Sequence, residues 1–233
     1  MDYKKVSIII PVYNERATVQ IVLDQVKAVS IGNMEKEIIL VDDHSTDGTT
    51  ELLKNLNDPQ IIVFTHEINL GKGGALHTGF KQASGDIVVI QDADLEYDAS
   101  EIEKVIAPFL EQNAHVVYGS RYLEKQGLSF WHSFFNRIFT GFSNRLTGQN
   151  LTDIMTCYKA FNRQALSSVV DKLESKRFGF EPEVTAKLHR AGFTIIEVPV
   201  SYRPRSRGEG KHMNFKGQVE SLWALVKYSL LKK

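Results

Sequence analysis

The sequence predicts an α/β protein in which helices cover both faces of a mostly parallel central sheet, a Rossmann-like three-layer α/β/α sandwich. Two observations support this fold class. First, short apolar runs typical of strands alternate with helix-period segments in the first half of the chain, which indicates βαβ units joined by right-handed crossovers. Second, the most unusual polar and glycine-rich stretches follow the predicted strands. In open α/β sheets, ligands bind beyond the carboxyl ends of the strands.

The predicted strands are apolar and rich in β-branched residues, and turn residues bound them. They cover 6–12, 37–42, 61–66, 86–92 and 115–120. Helix-period segments alternate with them at about 15–29, 49–56, 73–83 and 99–111. After about residue 120 this alternation ends. The remaining predicted elements are an aromatic-rich helix at 130–146, a helix at about 180–191 and a strand within 193–202.

Composition and charge exclude several functional classes. Lys and Arg total 28, as do Asp and Glu, so no overall basic field indicates a nucleic-acid partner. The single cysteine, Cys157, excludes an intramolecular disulfide framework and fits a reducing compartment. We expect it to be a small core residue, because no local signature activates its thiol.

No stretch approaches the 18 apolar residues of a membrane-spanning helix. The apolar run near the N-terminus is too short for a signal peptide, and Pro11 closes it. We therefore expect a cytoplasmic protein, or one that lies peripherally on the cytoplasmic face of the membrane.

An acidic cluster follows the predicted strand at 86–92. Asp92, Asp94 and Glu96 stand at every second position, and an extended chain would point their carboxylates to one side, where they repel one another. A solvated acidic loop with Asp98 capping the next helix is one interpretation. The other is a metal–diphosphate site, because Mg²⁺ and Mn²⁺ prefer carboxylate oxygens together with water and phosphate.

Two further motifs fall at strand ends. In VDDHSTDGT, Asp42 and Asp43 end a strand, where a carboxylate accepts hydrogen bonds from a ribose or a base edge, while 45–47 supplies helix caps. NLGKGGALHTG lacks the GxxxxGK[ST] spacing of a phosphate-binding loop. Its glycines either form a turn before the helix or expose amides to a pyrophosphate.

The C-terminal part of the sequence is basic and, in places, aromatic. Basic residues dominate 203–216, and the glycines among them suit a mobile loop that closes over phosphates, although a solvated basic loop is the alternative. The helix at 130–146 combines an aromatic stripe with Arg137 and Arg145. Such a stripe is either core or an interfacial surface for a lipid phosphate. The terminal SLWALVKYSLLKK is consistent with both interpretations as well.

The motifs IIIPVYNE, VDDHSTDGT, NLGKGGA and DADLEY, in this order, resemble family 2 glycosyltransferases with the GT-A fold. Further along the chain, VYGSRY, LTDIMTCYKAF, FGFEPEV and EVPVSYRPRSRGEGK resemble the dolichyl- and polyprenyl-phosphate mannose and glucose synthase branch. The resemblance covers about 6–215. It implies inverting transfer of glucose or mannose from a UDP- or GDP-linked donor to a polyprenyl or dolichyl phosphate, with Mg²⁺ or Mn²⁺. We expect one GT-A domain over 1–233, with a nucleotide-sugar half at about 1–120 and an acceptor half at about 121–233.

The resemblance also implies roles for residues of the matched motifs. Asp153, Asp94 and Arg121 are expected to be catalytic, and Arg121 and Arg137 to bind the acceptor phosphate. The metal ligands would be Asp92, Asp94 and Glu96, although synthases of this branch often have Gln where Glu96 stands. Contacts with the nucleotide sugar are expected from Pro11, Tyr13, Glu15, Val41, Asp43, Lys72, Asp92, Ala93, Arg205, Arg207 and Lys211.

The acceptor determines whether the reaction needs a base. A sugar hydroxyl must lose its proton, so Asp153 would serve as general base. A lipid phosphate is already ionised near pH 7 and needs arginines, which bind its oxygens through a planar fork. Arg121, Arg137 and Arg145 in an aromatic setting favour the phosphate acceptor, and Asp153 would then orient groups instead.

Other functions remain open from the sequence. A glycosyltransferase acting on a saccharide hydroxyl would fit the same motifs. A nucleotidyltransferase would release pyrophosphate and draws no support from PVYNE or the C-terminal GEGK. A non-catalytic sugar-nucleotide sensor would have no use for the acidic cluster combined with the basic loop. The sugar, the nucleotide, the choice between Mg²⁺ and Mn²⁺ and the oligomeric state stay open.

Overall fold

A seven-stranded sheet forms the centre of the protein in the computed structural model, which describes residues 2–124, 130–205 and 215–228. Within these ranges the side chains at 130–132, 135, 215–219 and 225 are not described. The strands are β1 Lys5–Val12, β2 Glu35–Asp42, β3 Ile61–Thr65, β4 Ile87–Ile90, β5 Val116–Ser120, β6 Lys159–Asn162 and β7 Ile195–Pro199.

The strand order is β3-β2-β1-β4-β6-β5-β7. β1 pairs in parallel with β2 and β4, β2 with β3, and β5 with β7. β6 runs antiparallel to both of its neighbours, β4 and β5. The predicted mostly parallel sheet is therefore confirmed.

The predicted helices are also confirmed, with α1 beginning later than expected. The helices are α1 Val19–Ala28, α2 Thr49–Lys54, α3 Lys72–Gln82, α4 Ile102–Glu111, α5 Phe130–Thr147, α6 Arg163–Val169, α7 Phe180–Arg190 and α8 Phe215–Val226. Asp98 accepts a hydrogen bond from the Ser100 amide (3.0 Å) and so caps the 3₁₀ turn that leads into α4, as predicted.

The core lies in and around β1, β2, β4 and β5, whose apolar runs are buried on both faces, whereas β3 at the sheet edge is only partly buried. Ile8, Ile9 and Ile10 in β1 are fully buried, and β4 is buried throughout. Continuous apolar runs of this kind are typical of parallel strands covered by helices on both sides. Each such side chain contributes roughly 1.5–3 kcal/mol to the free energy of folding.

Helix α6 was not predicted from the sequence, and neither was strand β6. This strand is only four residues long, begins with Lys159 and ends with Asn162, so it has no apolar run. Lys159 is nevertheless fully buried: its ammonium donates to the carbonyls of Ile154 (2.8 Å) and Thr156 (2.6 Å) and lies 4.2 Å from the ring centroid of Tyr118. Burial lowers the pKa of Lys159 to about 8.

The aromatic stripe of α5 is divided between core and surface. Phe139 is buried and Phe142 packs against the core, whereas Phe134 and Ile138 are 45% and 50% exposed. The core interpretation therefore holds for Phe139 and Phe142, whereas for the exposed Phe134 and Ile138 the interfacial interpretation stays a prediction.

Helix α8 docks on α7. Ala224 and Tyr228 form a buried cluster with Ala186, and the Ser221 hydroxyl donates to the Phe178 carbonyl (2.6 Å). Trp223, on the other side of α8, is 60% exposed. Of the helices within the described ranges, none has the length and apolar character needed to cross a membrane.

Candidate active site

A cleft of about 480 Å³ opens beyond the carboxyl ends of β1, β2 and β4, where the polar motifs were predicted to meet. The predicted site residues that line it are Pro11, Tyr13, Glu15, Asp43, Lys72, Asp92, Ala93, Asp94, Glu96, Arg121 and Arg205.

Several predicted site residues lie elsewhere. Val41 is fully buried within β2, which leaves only its backbone for a nucleotide contact. Asp153 is fully buried behind the cleft wall, and Arg137 is exposed on α5 away from the cleft lining. Arg207 and Lys211 lie outside the described residues. Their predicted roles in binding the donor stay predictions.

Asp43 joins the end of β2 to the glycine-rich loop. Its carboxylate accepts hydrogen bonds from the amides of Leu70 (2.8 Å) and Gly71 (2.6 Å) and lies 2.7 Å from His66 Nδ1. The other ring nitrogen of His66 contacts the Thr78 hydroxyl at 2.9 Å. The side chain that was predicted to contact the nucleoside thus also holds the loop at the cleft wall.

The glycines of NLGKGG permit close backbone packing. Gly71 has a φ of +84°, and a Cβ on Gly73 would come within 2.3 Å of the Ser175 carbonyl oxygen. The Gly74 amide donates to the Lys176 carbonyl at 2.9 Å. Because the amides of Gly71 and Gly74 already have protein partners, these glycines bring the start of α3 against the loop at 175–177, which supports the predicted turn.

Lys72, at the first position of α3, faces the acidic cluster. Its ammonium lies 2.8 Å and 2.9 Å from the two carboxylate oxygens of Asp92 and 3.9 Å from Glu181. Burial opposes the charge on Lys72, but the neighbouring Asp92 and Glu181 raise its pKa. A cation is therefore held permanently beside Asp92.

The acidic cluster is not an extended strand. β4 ends at Ile90, and Leu95 has a left-handed φ of 60°, so the alternation of carboxylates onto one side does not hold. Glu96 turns away: one carboxylate oxygen accepts from the Tyr202 hydroxyl (2.8 Å) and the other from the Arg205 amide (2.9 Å). These contacts show an anchor for the segment at 202–205, where the sequence predicted a metal ligand.

Asp94 lies in surroundings that disfavour its negative charge. Burial, together with the charges of Asp92 and Glu96, raises its pKa to about 7, although Arg205 opposes this shift. The Arg205 guanidinium donates to the Asp94 carbonyl (2.7 Å) and pairs with both carboxylate oxygens of Glu15 (2.7 and 2.8 Å). Arg205 therefore bridges the ends of β1 and β4 across the acids.

Asp92, Asp94 and Glu96 all line the cleft, but the contacts of Glu96 with Tyr202 and Arg205 set it apart from the other two predicted metal ligands. Across the described ranges, no three His, Cys, Asp or Glu side chains come close enough together to hold one metal ion. Asp92 and Asp94 both line the cleft, and because burial and the charges of Asp92 and Glu96 raise the pKa of Asp94, a cation bound there would favour its ionised form. Two carboxylates, with water and phosphate oxygens in the other positions, suit Mg²⁺ or Mn²⁺.

Arg121 and Asp153 form a bidentate ion pair at the opposite wall. Arg121 Nε and Nη2 donate to the two oxygens of Asp153 at 2.6 and 2.8 Å, and the Arg121 amide donates to the same carboxylate at 3.2 Å. The guanidinium packs 5.0 Å from the ring centroid of Tyr202. Asp153 is fully buried, so its described contacts hold Arg121 in place at the cleft.

Glu197 in β7 supports this ion pair from behind. Its carboxylate accepts hydrogen bonds from the amides of Thr152 (2.7 Å) and Asp153 (2.9 Å). Burial raises the pKa of Glu197. The sequence offered no signal for this role, since Glu197 stands alone in an apolar strand.

The cleft also contains residues to which the sequence analysis assigned no role. Arg177, Phe178 and Glu181 line it, and all three belong to the segment RFGFE at the start of α7. In the sequence, FGFEPEV contributes only to the family resemblance. The signal that could have indicated a site here is the acid Glu181 shortly after the basic and aromatic pair Arg177 and Phe178. Cys157 lies at the cleft wall, is buried as predicted, and burial raises the pKa of its thiol.

Residues 7–170 match the family model described as Glycosyl transferase family 2. The chain belongs to this family. It is therefore an enzyme of the glycosyltransferase class, and the predicted family is confirmed.

Curated relatives are similar over most of this glycosyltransferase. An undecaprenyl-phosphate mannosyltransferase from Micrococcus luteus is 30% identical over 217 residues, which cover 89% of this chain and 87% of that protein. An undecaprenyl-phosphate 4-deoxy-4-formamido-L-arabinose transferase from Proteus mirabilis is 29% identical over 89% of this chain. Glycosyltransferase AglD from Haloferax volcanii is 27% identical over 86% of this chain. The chain spans 63% and 33% of the lengths of the latter two.

Solved structures confirm the GT-A fold. Glucosyl-3-phosphoglycerate synthase from Mycobacterium tuberculosis, in complex with Mg²⁺ and uridine diphosphate, superposes with a TM-score of 0.72 over 99% of this chain and 81% of that chain, at 21% identity. The complex of the same enzyme with Mn²⁺, uridine diphosphate and glucosyl-3-phosphoglycerate has a TM-score of 0.71 and 19% identity, with the same coverage.

Proposed function

We propose that this enzyme transfers a hexose, with inversion, from a UDP- or GDP-linked donor to a polyprenyl or dolichyl phosphate. The names of the relatives from Micrococcus luteus and Proteus mirabilis, both undecaprenyl-phosphate sugar transferases, support this acceptor class. A role in cell-envelope or glycan assembly accords with that acceptor.

The observation that carries the proposal is the pairing of Arg121 with Asp153. A hydroxyl acceptor needs a base, and the carboxylate predicted for that role is fully buried and accepts three hydrogen bonds from Arg121. A phosphate acceptor needs a positioned cation. Because Asp153 and the Tyr202 ring hold the guanidinium at the cleft, Arg121 is ready to receive phosphate oxygens, and Asp153 is a positioning residue.

The donor diphosphate would lie between Lys72, Arg205 and the acids Asp92 and Asp94. Asp92 and Asp94 would hold Mg²⁺ or Mn²⁺, which neutralises the charge that develops on the leaving nucleoside diphosphate. Lys72 and Arg205 contribute to the same neutralisation from the protein side. Before the donor binds, Arg205 must exchange its contacts with Glu15 for phosphate oxygens.

The nucleoside would lie at the ends of β1 and β2, where Pro11, Tyr13, Glu15 and Asp43 line the cleft. Tyr13 is half exposed and so free to pack on a base, whereas Asp43, whose carboxylate is buried and already accepts hydrogen bonds, would mainly shape this end of the cleft.

The acceptor half offers a surface for peripheral contact with the membrane that holds the lipid. Phe134 and Ile138 lie four residues apart on α5, so they share one face, and both are exposed beside Arg137. Exposed aromatic and aliphatic side chains next to a cation suit the headgroup region of an anionic bilayer.

The test incubates the purified protein with Mg²⁺ or Mn²⁺, labelled UDP-glucose or GDP-mannose, and undecaprenyl or dolichyl phosphate in detergent or in vesicles. We expect label in the organic phase that depends on the metal and is lost in Asp94→Ala. An empty organic phase with all donors, from protein that binds Mn²⁺, would contradict the lipid acceptor. Label transferred to an oligosaccharide would then favour a saccharide hydroxyl.

A further inference from the structure

Glu181 is a buried carboxylate in the cleft with one oxygen that the protein leaves unpaired. The residue is 7% exposed, lies in the first turn of α7 and lines the cleft with Lys72 and Asp92. Among the described residues its Oε2 atom has no hydrogen-bond partner, and Oε1 is 3.9 Å from the Lys72 ammonium, beyond hydrogen-bond distance. Buried carboxylates without partners are rare in folded proteins and call for a physical explanation.

Glu183, two residues further along α7, is a buried carboxylate whose two oxygens both have hydrogen-bond partners in the protein. It is fully buried, its Oε2 accepts from the Ser175 amide (2.7 Å), and its Oε1 accepts from the Glu174 amide (2.8 Å) and from Lys187. The same helix thus satisfies both oxygens of one glutamate and leaves one oxygen of the other without a hydrogen-bond partner at the cleft. Packing of α7 does not account for Glu181.

The chemistry of the missing partner follows from the chemistry of a carboxylate. An ionised carboxylate accepts hydrogen bonds or ligates a cation, and in the described part of the chain Glu181 belongs to no group of three side chains that could hold a metal, so we take the missing partner to be a hydrogen-bond donor. The diphosphate of a nucleotide sugar has no donors, and Lys72, beside Asp92, marks where that diphosphate would lie. Two groups with hydroxyl donors are attached directly to the diphosphate, the ribose and the transferred sugar. Because the ribose would lie with the nucleoside at the ends of β1 and β2, the group beside Glu181 would be the transferred sugar.

Resting on the proposed function, we infer that Glu181 recognises the transferred sugar by accepting hydrogen bonds from one or two of its hydroxyls. Glu181 would then be a specificity residue that selects a hexose with those hydroxyls free. A site that offers a buried acceptor discriminates strongly against an analogue lacking the matching hydroxyl, because the acceptor is left unpaired.

The experiment measures donor binding without any acceptor, so its outcome does not depend on the lipid. Binding of UDP-glucose, GDP-mannose, UDP, GDP and the monodeoxy forms of the donor that binds is titrated in Mn²⁺. The proteins are wild type, Glu181→Gln, Glu181→Ala and Glu111→Gln, an exposed charge-matched control on α4. We expect Glu181→Gln to weaken the nucleotide sugar about tenfold or more and the nucleoside diphosphate less than about threefold.

The monodeoxy donors and the Glu181→Ala variant together form a double-mutant cycle between ligand and protein. For wild type, removing the contacted hydroxyl weakens binding about tenfold or more, whereas in Glu181→Ala the same removal changes binding less than about threefold. Equal penalties in both proteins at every hydroxyl would overturn the inference. Equal weakening of nucleotide sugar and nucleoside diphosphate would also overturn it, because Glu181 would then act on the diphosphate through Lys72.

Thermal unfolding supplies an independent readout. Because Glu181 Oε2 has no hydrogen-bond partner among the described residues, we expect Glu181→Gln to unfold at or above the wild-type temperature while binding donor less well. A lower Tm with unchanged donor discrimination would indicate a structural role and overturn the inference. Intact donor binding with abolished transfer would make Glu181 a general base, contradicting both this inference and the lipid-phosphate acceptor. Failure of lipid transfer alone would contradict only the acceptor.

Discussion

Arg121 and Asp153 are the two side chains on which the choice of acceptor depends. The Asp153→Asn variant keeps the shape of the carboxylate but removes the charge that orients the Arg121 guanidinium. If Arg121 binds the acceptor phosphate, we expect KM for the lipid phosphate to rise about tenfold or more while kcat falls less. Initial rates over a range of acceptor concentrations, at fixed donor, measure this.

Asp171→Asn is the matched control, since Asp171 is highly exposed and should leave both constants unchanged. A loss of about a thousandfold in kcat at unchanged acceptor KM, with a shifted pH–rate profile, would instead identify Asp153 as a general base.

Lys159 is a charge buried in the middle of the sheet. Its pKa in the folded protein is about 8, below the ordinary value of 10.5, so between these values the unfolded chain binds more protons than the folded one. Its contribution to the free energy of unfolding therefore rises with pH through this window and is constant below about pH 8.

We expect the stability of wild type relative to Lys159→Met to increase by about 2 kcal/mol between pH 7 and pH 10, measured by urea denaturation. Lys54→Met, at an exposed position on α2, should show no such trend. If the difference in unfolding free energy between wild type and Lys159→Met did not change with pH, the lowered pKa of Lys159 would be contradicted.

The segment at 200–205, which follows β7, is held over the acidic cluster by Glu96. This carboxylate accepts from Tyr202 and from the Arg205 amide, and the Glu96 carbonyl accepts from the Arg203 amide. We expect Glu96→Ala to release the segment, so that trypsin cleaves after Arg205 faster than in wild type. Mn²⁺ affinity should change less than about threefold, whereas Asp94→Ala should lower it more than about tenfold.

Glu103→Ala, on the exposed face of α4, provides the control for this experiment. If Glu96→Ala lost Mn²⁺ affinity as severely as Asp94→Ala, the ligand role implied by the family resemblance would be correct, and Glu96 would have to rotate when the metal binds.

The N-terminus of α3 approaches the loop at 175–177 so closely that only glycine fits. Gly73→Ala would place a methyl group 2.3 Å from the Ser175 carbonyl oxygen, so we expect unfolding free energy to fall by about 2 kcal/mol. Gly141→Ala, in the open middle of α5, meets nothing within 4 Å and should stabilise by about 0.5–1 kcal/mol. Denaturant titration compares them. Equal stability of both variants would show that the α3 contact is not tight.

The sheet order brings together motifs that are far apart in the chain. β1 lies between β2 and β4, so PVYNE, VDD and QDADLE end side by side at one edge. The antiparallel β6 then joins this half to β5 and β7, which carry Arg121 and Glu197 close to the donor half. One cleft therefore contains groups for the donor and a cation for the acceptor.

Local and periodic properties of this protein could be predicted from its sequence. Apolar β-branched runs specify buried strands, Asp98 caps the turn before α4, and the ordered motifs identify family 2 glycosyltransferases. These properties depend on neighbours within a few residues, or on motif order, both of which a single chain displays.

The partners of individual side chains could not be predicted in this way. Glu15 pairs with Arg205 across 190 positions, Glu96 with Tyr202 across 106, and Arg121 with Asp153 across 32. Hydrogen bonding depends on direction and distance in space, and residue periodicity carries neither. Glu96, a predicted metal ligand that follows the left-handed Leu95, accepts hydrogen bonds from Tyr202 and Arg205, and Glu181 Oε2 at the cleft has no hydrogen-bond partner among the described residues. A carboxylate can bind a ligand, orient a neighbouring side chain or anchor a segment. The tertiary structure decides among these roles, because it determines which partners each carboxylate oxygen has.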